Sequence, residues 1–264
     1  MKQITEQCVE WIRAWMDQNG GKTAVLGISG GKDSTVTAAL CCRALGAGNV
    51  VGVMMPNGEQ KDIADSYKVC ELLGIRMHVV DISKAYQSLL DRVSFSAADG
   101  TRLIPSKQTR INLAPRLRMA TLYALAQSLE GGRVVNTSNR DEALVGYCTL
   151  WGDDVGDFSP LGMLHVSQVI DIGRDLGVPE ELLVKPPSDG LTGKTDEEAL
   201  GFSYADVEEL DTMHDDMLET YDNPEEQLTG KLKAVWDRHQ AISWKLCMAN
   251  LPVFEPYELE NDEN

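Results

Sequence analysis

The stretch AVLGISGGKDSTVTAAL, residues 24–40, decides the fold. Residues 27–34 hold three glycines (Gly27, Gly30, Gly31), two serines (Ser29, Ser34), Lys32 and Asp33, immediately before a run of small and apolar residues. The common nucleotide-triphosphatase loop is excluded by spacing. That loop places a glycine five positions before a second glycine, followed by Lys and a hydroxyl residue. Here Gly27 and Gly31 are four apart, and Lys32 is followed by Asp33. The context still suits an anion: residues 24–28 read as a short buried strand, 29–32 as a tight turn, and 33–45 as a helix. Such a turn aims backbone N–H groups and the positive helix end at one spot. An oxyanion cradle and a plain strand-to-helix turn both remain open on this spacing.

Outward from this loop, the apolar period keeps switching. Residues 4–16 read as a helix with Ile4, Cys8, Trp11, Ile12 and Trp15 on one face. A second strand at 49–56, a helix at 58–74, a third strand at 75–82 and a helix at 83–93 follow. After an irregular segment at 94–109, a long helix is expected over 110–132, with Pro115 near its start displacing its N-terminus by a turn. A fourth strand at 133–139 ends in polar residues. An acidic, glycine-rich loop at 149–162, a helix at 164–177, a polar loop at 185–201 and helices to residue 250, including one over 224–250, complete the chain. Strand alternating with helix predicts an α/β fold with a parallel sheet covered on both faces, a Rossmann-like three-layer α/β/α sandwich. Its crevice should lie at the carboxyl ends of the strands, where the 29–34 turn sits. We expect a single domain over 1–264, with a lid loop at about 185–201 and a helical part at about 205–250.

Composition narrows the partners. The chain has 264 residues, 43% hydrophobic and 25% charged, with a net charge of −17. Such an acidic chain argues against nucleic acid as the main partner. The six cysteines show no metal-ligand spacing and the four histidines are scattered, so no zinc site is expected. Thiols in apolar patterns point to a reducing, cytoplasmic setting. No membrane-length apolar run and no charged leader are visible, so neither a membrane nor secretion is expected.

Ser-Gly-Gly-x-Asp-Ser after a strand resembles the pyrophosphate-binding loop of the ATP pyrophosphatases, which cleave ATP between its α and β phosphates. Within that superfamily, PNGEQ (56–60), NLAPRLRM (112–119), NTSNRDEALVGYCTLWGDDVGDFSPL (136–161) and KPPSDGLTGKTDEEALGFSY (185–204) resemble the ammonia-dependent NAD synthetases. The resemblance covers roughly residues 5–255. It implies adenylylation of the nicotinate carboxylate of deamido-NAD, loss of pyrophosphate, and displacement of AMP by ammonia. Another amidating or thiolating ATP pyrophosphatase, or a nucleotide-binding protein without activity, is the alternative.

The resemblance also assigns residues. Ser29, Ser34, Asp33 and Glu142 become catalytic, with Asp33 and Glu142 on Mg2+. ATP, as substrate, falls to Gly27, Ser29, Gly30, Gly31, Lys32, Asp33, Ser34, Thr137 and Ser188, and the family varies at Lys32. Deamido-NAD falls to Arg116, Asn139, Asp153, Asp157, Lys194, Asp196 and Lys245. Arg116 and Arg118 suit contacts to substrate phosphates or to the partner subunit. Asp33 as a helix cap, Glu142 as a solvated acid, Arg116 and Arg118 as solvated surface charges, and Lys194 with Asp196 as a solvated pair remain the plainer readings. Three departures from the family are visible: Val166 replaces a lysine, Trp244, Lys245 and Leu246 stand in place of a usual His-Lys-Arg run, and Gly190 replaces an aspartate. His165, Lys185 and Lys194 are the bases near enough in sequence to compensate. The resemblance further implies a homodimer, paired through apolar residues 117–129 and the Trp11/Trp15 face. It implies free ammonia as the nitrogen source, because the stretch before residue 29 is too short for a glutaminase domain.

Overall fold

The computed structural model describes residues 2–60, 63–95, 100–185, 195–220, 224–246 and 254–255. Its centre is a sheet of four parallel strands in the order β3-β2-β1-β4: β1 (Thr23–Gly27), β2 (Val50–Met54), β3 (Arg76–Val79) and β4 (Gly132–Val134). Ala24 pairs with Val50 on one side, and Thr23 with Gly132 on the other. The chain therefore steps from β1 through β2 to β3 in one direction, then returns to place β4 on the opposite flank of β1. The carboxyl ends of β1 and β4 form the switch point at which open α/β sheets bind their ligands.

Strand residues alternate between two cores, as a sheet covered on both faces requires. Ala24, Leu26 and Val50 join one core with residues of α1 (Lys2–Gln18), α2 (Lys32–Leu45), α3 (Ile63–Leu73) and α7 (Val166–Asp175). Val25, Val51 and Val53 join the other, beneath α5 (Lys107–Gln127) and with Tyr86 of α4 (Ser83–Ser94) packed against it. Helix α2 is the axis of the first core: Val36, Thr37, Ala38, Leu40 and Cys41 are all fully buried. A third core, built from Val145, Phe202, Tyr204, Val207, Leu210, Leu228 and Val235, joins α6 (Arg140–Leu144) to α10 (Tyr204–Thr220) and α11 (Gly230–Leu246). The short helices α8 (Glu180–Leu183) and α9 (Asp196–Leu200) complete the set among the described residues.

Several boundaries differ from the sequence reading for identifiable reasons. Helix α5 starts at Lys107, ahead of the expected residue 110, because Ser106 caps it by accepting from Thr109 N at 3.0 Å. Pro115 does not displace that start. It lies inside the helix and is buried against the 149–152 turn, where a Cβ on Gly152 would come within 2.9 Å of its ring. That packing offsets the cost of about 3 kcal/mol for an interior proline. Strand β4 is three residues long, and beyond it an isolated parallel bridge from Val135 to Phe158 carries the sheet edge onward. The expected helix over 224–250 is a short 3-10 turn at Pro224–Gln227 followed by α11. Trp11 and Trp15 are partly buried against the chain's own core: Trp15 stacks on Phe158 with centroids 4.5 Å apart, and Trp11 packs on Phe158 and Phe254 at 6.1 and 6.0 Å.

Candidate active site

The glycine-rich turn is held by its own hydroxyls. Ile28 N still donates to Val53 O in the sheet, and the chain then turns at Ser29. Gly31 N donates to Ser29 Oγ at 3.2 Å, the Ser29 and Ser34 hydroxyls lie 3.0 Å apart, and Ser34 Oγ donates to Gly31 O at 3.1 Å. Gly30 has φ +80°, and a Cβ there would meet Asp65 Cβ at 2.9 Å and Ser66 N at 3.0 Å. Only glycine lets the turn lie against the start of α3. Thr35 N is bonded back to Gly31 O. The N–H groups of Lys32, Asp33 and Ser34 thus precede the helix ladder, at its positive end.

From the β4 side, Asn139 crosses to this turn. Its buried carboxamide caps α6 by accepting from Glu142 N at 3.0 Å, and its Nδ2 donates to Asp33 Oδ1 at 3.0 Å. Glu142 Oε2 accepts from Asn139 N at 3.2 Å, which closes a capping box. One side chain therefore fixes both acids. Burial, and then the nearby Asp33 charge, hold the Glu142 carboxyl well above the usual carboxylate range. Lys32, 4% exposed, donates to Asp33 Oδ2 at 2.9 Å. Burial alone would lower its ammonium, but Asp33, Glu142 and Asp196 outweigh that and raise it. Tyr204 completes the group: Lys32 Nζ lies 5.8 Å from its ring centre, and its hydroxyl donates to buried Asp196 Oδ2 at 3.1 Å.

The structure thus gathers Ser29, Gly30, Gly31, Lys32, Asp33, Ser34, Asn139, Glu142 and Asp196, with Gly27 ending β1 beneath them and half-buried Thr137 on the same crossing segment. Asn139, expected against deamido-NAD, spends its carboxamide on positioning the acids. Other expected residues make contacts of their own. Lys245 donates to the carbonyls of Gly146 and Cys148. Asp153 accepts from Thr149 N, and burial raises its carboxyl. Arg118 reaches Met55 O at 3.0 Å within Coulombic range of Asp153, and Arg116 reaches Leu150 O at 3.2 Å. Asp157 braces β4, accepting from Val134 N at 2.7 Å. Ser188, Lys194 and Gly190, with most of the 185–201 loop, lie outside the described residues, as do the side chains of Trp244 and Leu246.

A network missed by sequence reading stands behind Glu142. Buried Asp141 accepts from Val166 N at 2.7 Å and pairs with His165 Nδ1 at 2.6 Å. His165 Nε2 lies 3.3 Å from Asp211, which also takes both Nε and Nη2 of Arg140. Burial opposes charging of His165, yet the bonds to Asp141 and Asp211 prevail and push it up to about 9. Despite its burial, Asp211 is lowered to about 2 by His165 and Arg140. His165 is therefore committed to this network and does not replace the absent lysine at Val166. Lys185 pairs with Asp65 at 2.8 Å. No sequence spacing links these partners; only the docking of α10 against α6 and α7 does.

Among the described residues, no group of three or more His, Cys, Asp or Glu side chains is arranged to enclose a metal ion alone. Magnesium does not require one, since it takes one or two carboxylates together with substrate phosphates. Asp33 and Glu142 supply that hard-oxygen set, and the mutual repulsion recorded in Glu142 is what a cation relieves. The residues fit magnesium.

The NAD synthase family profile matches residues 4–246. The chain belongs to the NAD synthase family. Similar family proteins include an NH(3)-dependent NAD(+) synthetase of Thermococcus kodakarensis, 38% identical over 206 residues and covering 78% of each chain. The fold is similar to an NMN synthetase from Francisella tularensis, with TM-score 0.76, 32% identity, and 96% and 98% of the two chains covered. It is also similar to an NH3-dependent NAD synthetase from Campylobacter jejuni, with TM-score 0.72, 25% identity, and 98% of each chain covered. In this NAD synthase chain, no described helix is long and apolar enough to cross a membrane.

Proposed function

We propose that the chain catalyses the ATP-dependent amidation of deamido-NAD by ammonia, giving NAD, AMP and pyrophosphate. The observation that carries this reading is the meeting of Asp33 and Glu142 through Asn139 at the switch point. A carboxylate cannot expel oxide, so the nicotinate carboxylate first attacks the α-phosphorus of ATP, and the α–β bond breaks. The departing pyrophosphate concentrates negative charge, and preorganised donors aimed there stabilise the transition state. The N–H groups opening α2 and the Ser29 and Ser34 hydroxyls are those donors. Asp33 and Glu142 would hold Mg2+, which when bound offsets charge on the phosphate oxygens. The adenylate then presents a good leaving group, and ammonia, through its lone pair, displaces AMP. Thr137 and Ser188 are assigned to ATP; Arg116, Asp153, Asp157, Lys194, Asp196 and Lys245 to the acceptor side.

A second acceptor has one observation in its favour: the similarity to the Francisella protein described as an NMN synthetase. Nicotinate mononucleotide carries the same reacting carboxylate. The test incubates the protein with magnesium, ATP and ammonium, and either deamido-NAD or nicotinate mononucleotide, and resolves products by mass. NAD with AMP from the first acceptor is expected; preferential turnover of the second would shift the assignment to the mononucleotide. AMP formation with neither would overturn the ligase reading. Glu142→Gln should fold, since it removes a charge that burial disfavours, yet lose at least about a hundredfold in AMP formation.

The same reading implies a homodimer and a cytoplasmic, reducing setting. Supporting the dimer, Phe95, Leu103 and Ile104 are exposed close in sequence to α5, which fully buries only Ala114, Pro115 and Ala126 and leaves Leu117, Leu122, Tyr123 and Leu125 partly buried against the second core. Supporting the setting, Cys8, Cys41, Cys42, Cys70 and Cys148 are free thiols.

A further inference from the structure

Lys32 occupies an unusual position for a lysine. It is 4% exposed. Neighbouring residues on a helix do not normally face each other, yet its ammonium folds back onto Asp33 Oδ2 at 2.9 Å. Asn139 Nδ2 takes the other oxygen, Oδ1, at 3.0 Å. Both oxygens of Asp33 are therefore met by nitrogen donors. The ring of Tyr204 closes over the ammonium, and Asp196 anchors that tyrosine by its hydroxyl. A buried ammonium persists only where such partners repay its lost hydration. Asp33, Glu142 and Asp196 are all in Coulombic reach, so Lys32 lies among acids that include Asp33 and Glu142, the two read above as the metal site.

We propose that Lys32 is a tethered cation. In the nucleotide-free protein its ammonium stands against Asp33 where a divalent ion would bind, so the ion enters only with the nucleotide, whose phosphates accept the displaced ammonium. The inference rests on Asp33 and Glu142 being the metal carboxylates. A divalent ion arriving alone would place a second positive charge beside Lys32 in a water-poor site, where like charges repel strongly. A nucleotide removes that conflict by supplying new anionic oxygens to the lysine.

Manganese serves as the probe, titrated into the full chain and followed by electron paramagnetic resonance, with and without a non-hydrolysable ATP analogue. Without nucleotide, Lys32→Gln should bind Mn2+ at least about tenfold more tightly than the unaltered chain. Lys32→Arg, which keeps the charge, should bind as weakly as the unaltered chain, and the double variant Lys32→Gln, Asp33→Asn should lose the gain. With the analogue present, the unaltered chain should form a protein-bound Mn2+ complex. Circular dichroism checks folding, and Lys32→Met, similar in volume and uncharged, replaces the glutamine variant if that one unfolds. No gain on removing the charge, or a gain that survives Asp33→Asn, overturns the inference while leaving the metal reading intact if Mn2+ still binds with the analogue. No protein-bound Mn2+ under any condition overturns both.

Discussion

Asn139→Asp isolates the bond between the two halves of the site. Aspartate is as good a helix cap as asparagine, so α6 keeps its first turn. What changes is the 3.0 Å contact to Asp33 Oδ1, where a donor becomes an acceptor. The lost charge-assisted bond is worth about 1.5–3 kcal/mol. Two full charges 3 Å apart would repel by about 5 kcal/mol at an effective dielectric constant of 20. The pair escapes most of that by sharing a proton, as adjacent carboxylates do. A net loss of about 3 kcal/mol at pH 7 is expected, without divalent ions. The sign with pH follows from the new carboxyl: burial and Asp33 raise its folded pKa above the unfolded value of about 3.9. Its folded form binds the extra proton, so the deficit is small near pH 4 and grows as pH rises. Urea unfolding of the variant and the unaltered chain at pH 5 and pH 7 measures both quantities. A variant within about 0.5 kcal/mol of the unaltered chain at pH 7, or a deficit that is the same at the two pH values, would refute the reasoning.

Two further outcomes follow from the same structure. His165, with a side chain 15% exposed, has its pKa raised from 6.5 to about 9, so at about 1.36 kcal/mol per unit it contributes about 3 kcal/mol of stability. That contribution is complete below pH 6.5 and is lost as pH rises through about 9; urea unfolding should show the decline, and His165→Gln should flatten it, whereas equal slopes in both proteins would contradict it. Light scattering should give a particle of twice 29.0 kDa, and Ile104→Glu, at a residue 80% exposed, should shift it toward the monomer; an active monomer at micromolar concentration would end the dimer reading.

The loop at 29–34 was legible because its chemistry is local: strand, turn and helix are consecutive, and their spacing specifies both backbone shape and charge. The cores on the two faces of the sheet were legible from strands alternating with helices, which requires a parallel sheet covered on both sides. Pro115 misled because a proline inside a helix costs locally what only tertiary packing, here against Gly152, can return. Asp157 and Lys245 were legible only as motif positions; their bonds to main-chain groups on other segments carry no local signal. Tyr204 and Asp141 lie inside the quoted stretches, yet no spacing announces the contact of Tyr204 with Lys32 or the Asp141–His165–Asp211 network. Their meaning arises from helix docking, which composition and period do not encode.

Strand β4 has a consequence for how the protein forms and fails. Asn139 and Asp33 are 106 residues apart in the chain, and they meet only when this three-residue strand docks on β1. Contacts of such long sequence separation close slowly, because the chain between them must be ordered first. A partly folded chain with β1, β2, β3 and α2 in place would possess the glycine-rich turn without the partner that completes it. Fraying from the β4 edge would reproduce the same species in reverse. Completion of the Asn139–Asp33 contact therefore waits on the docking of β4.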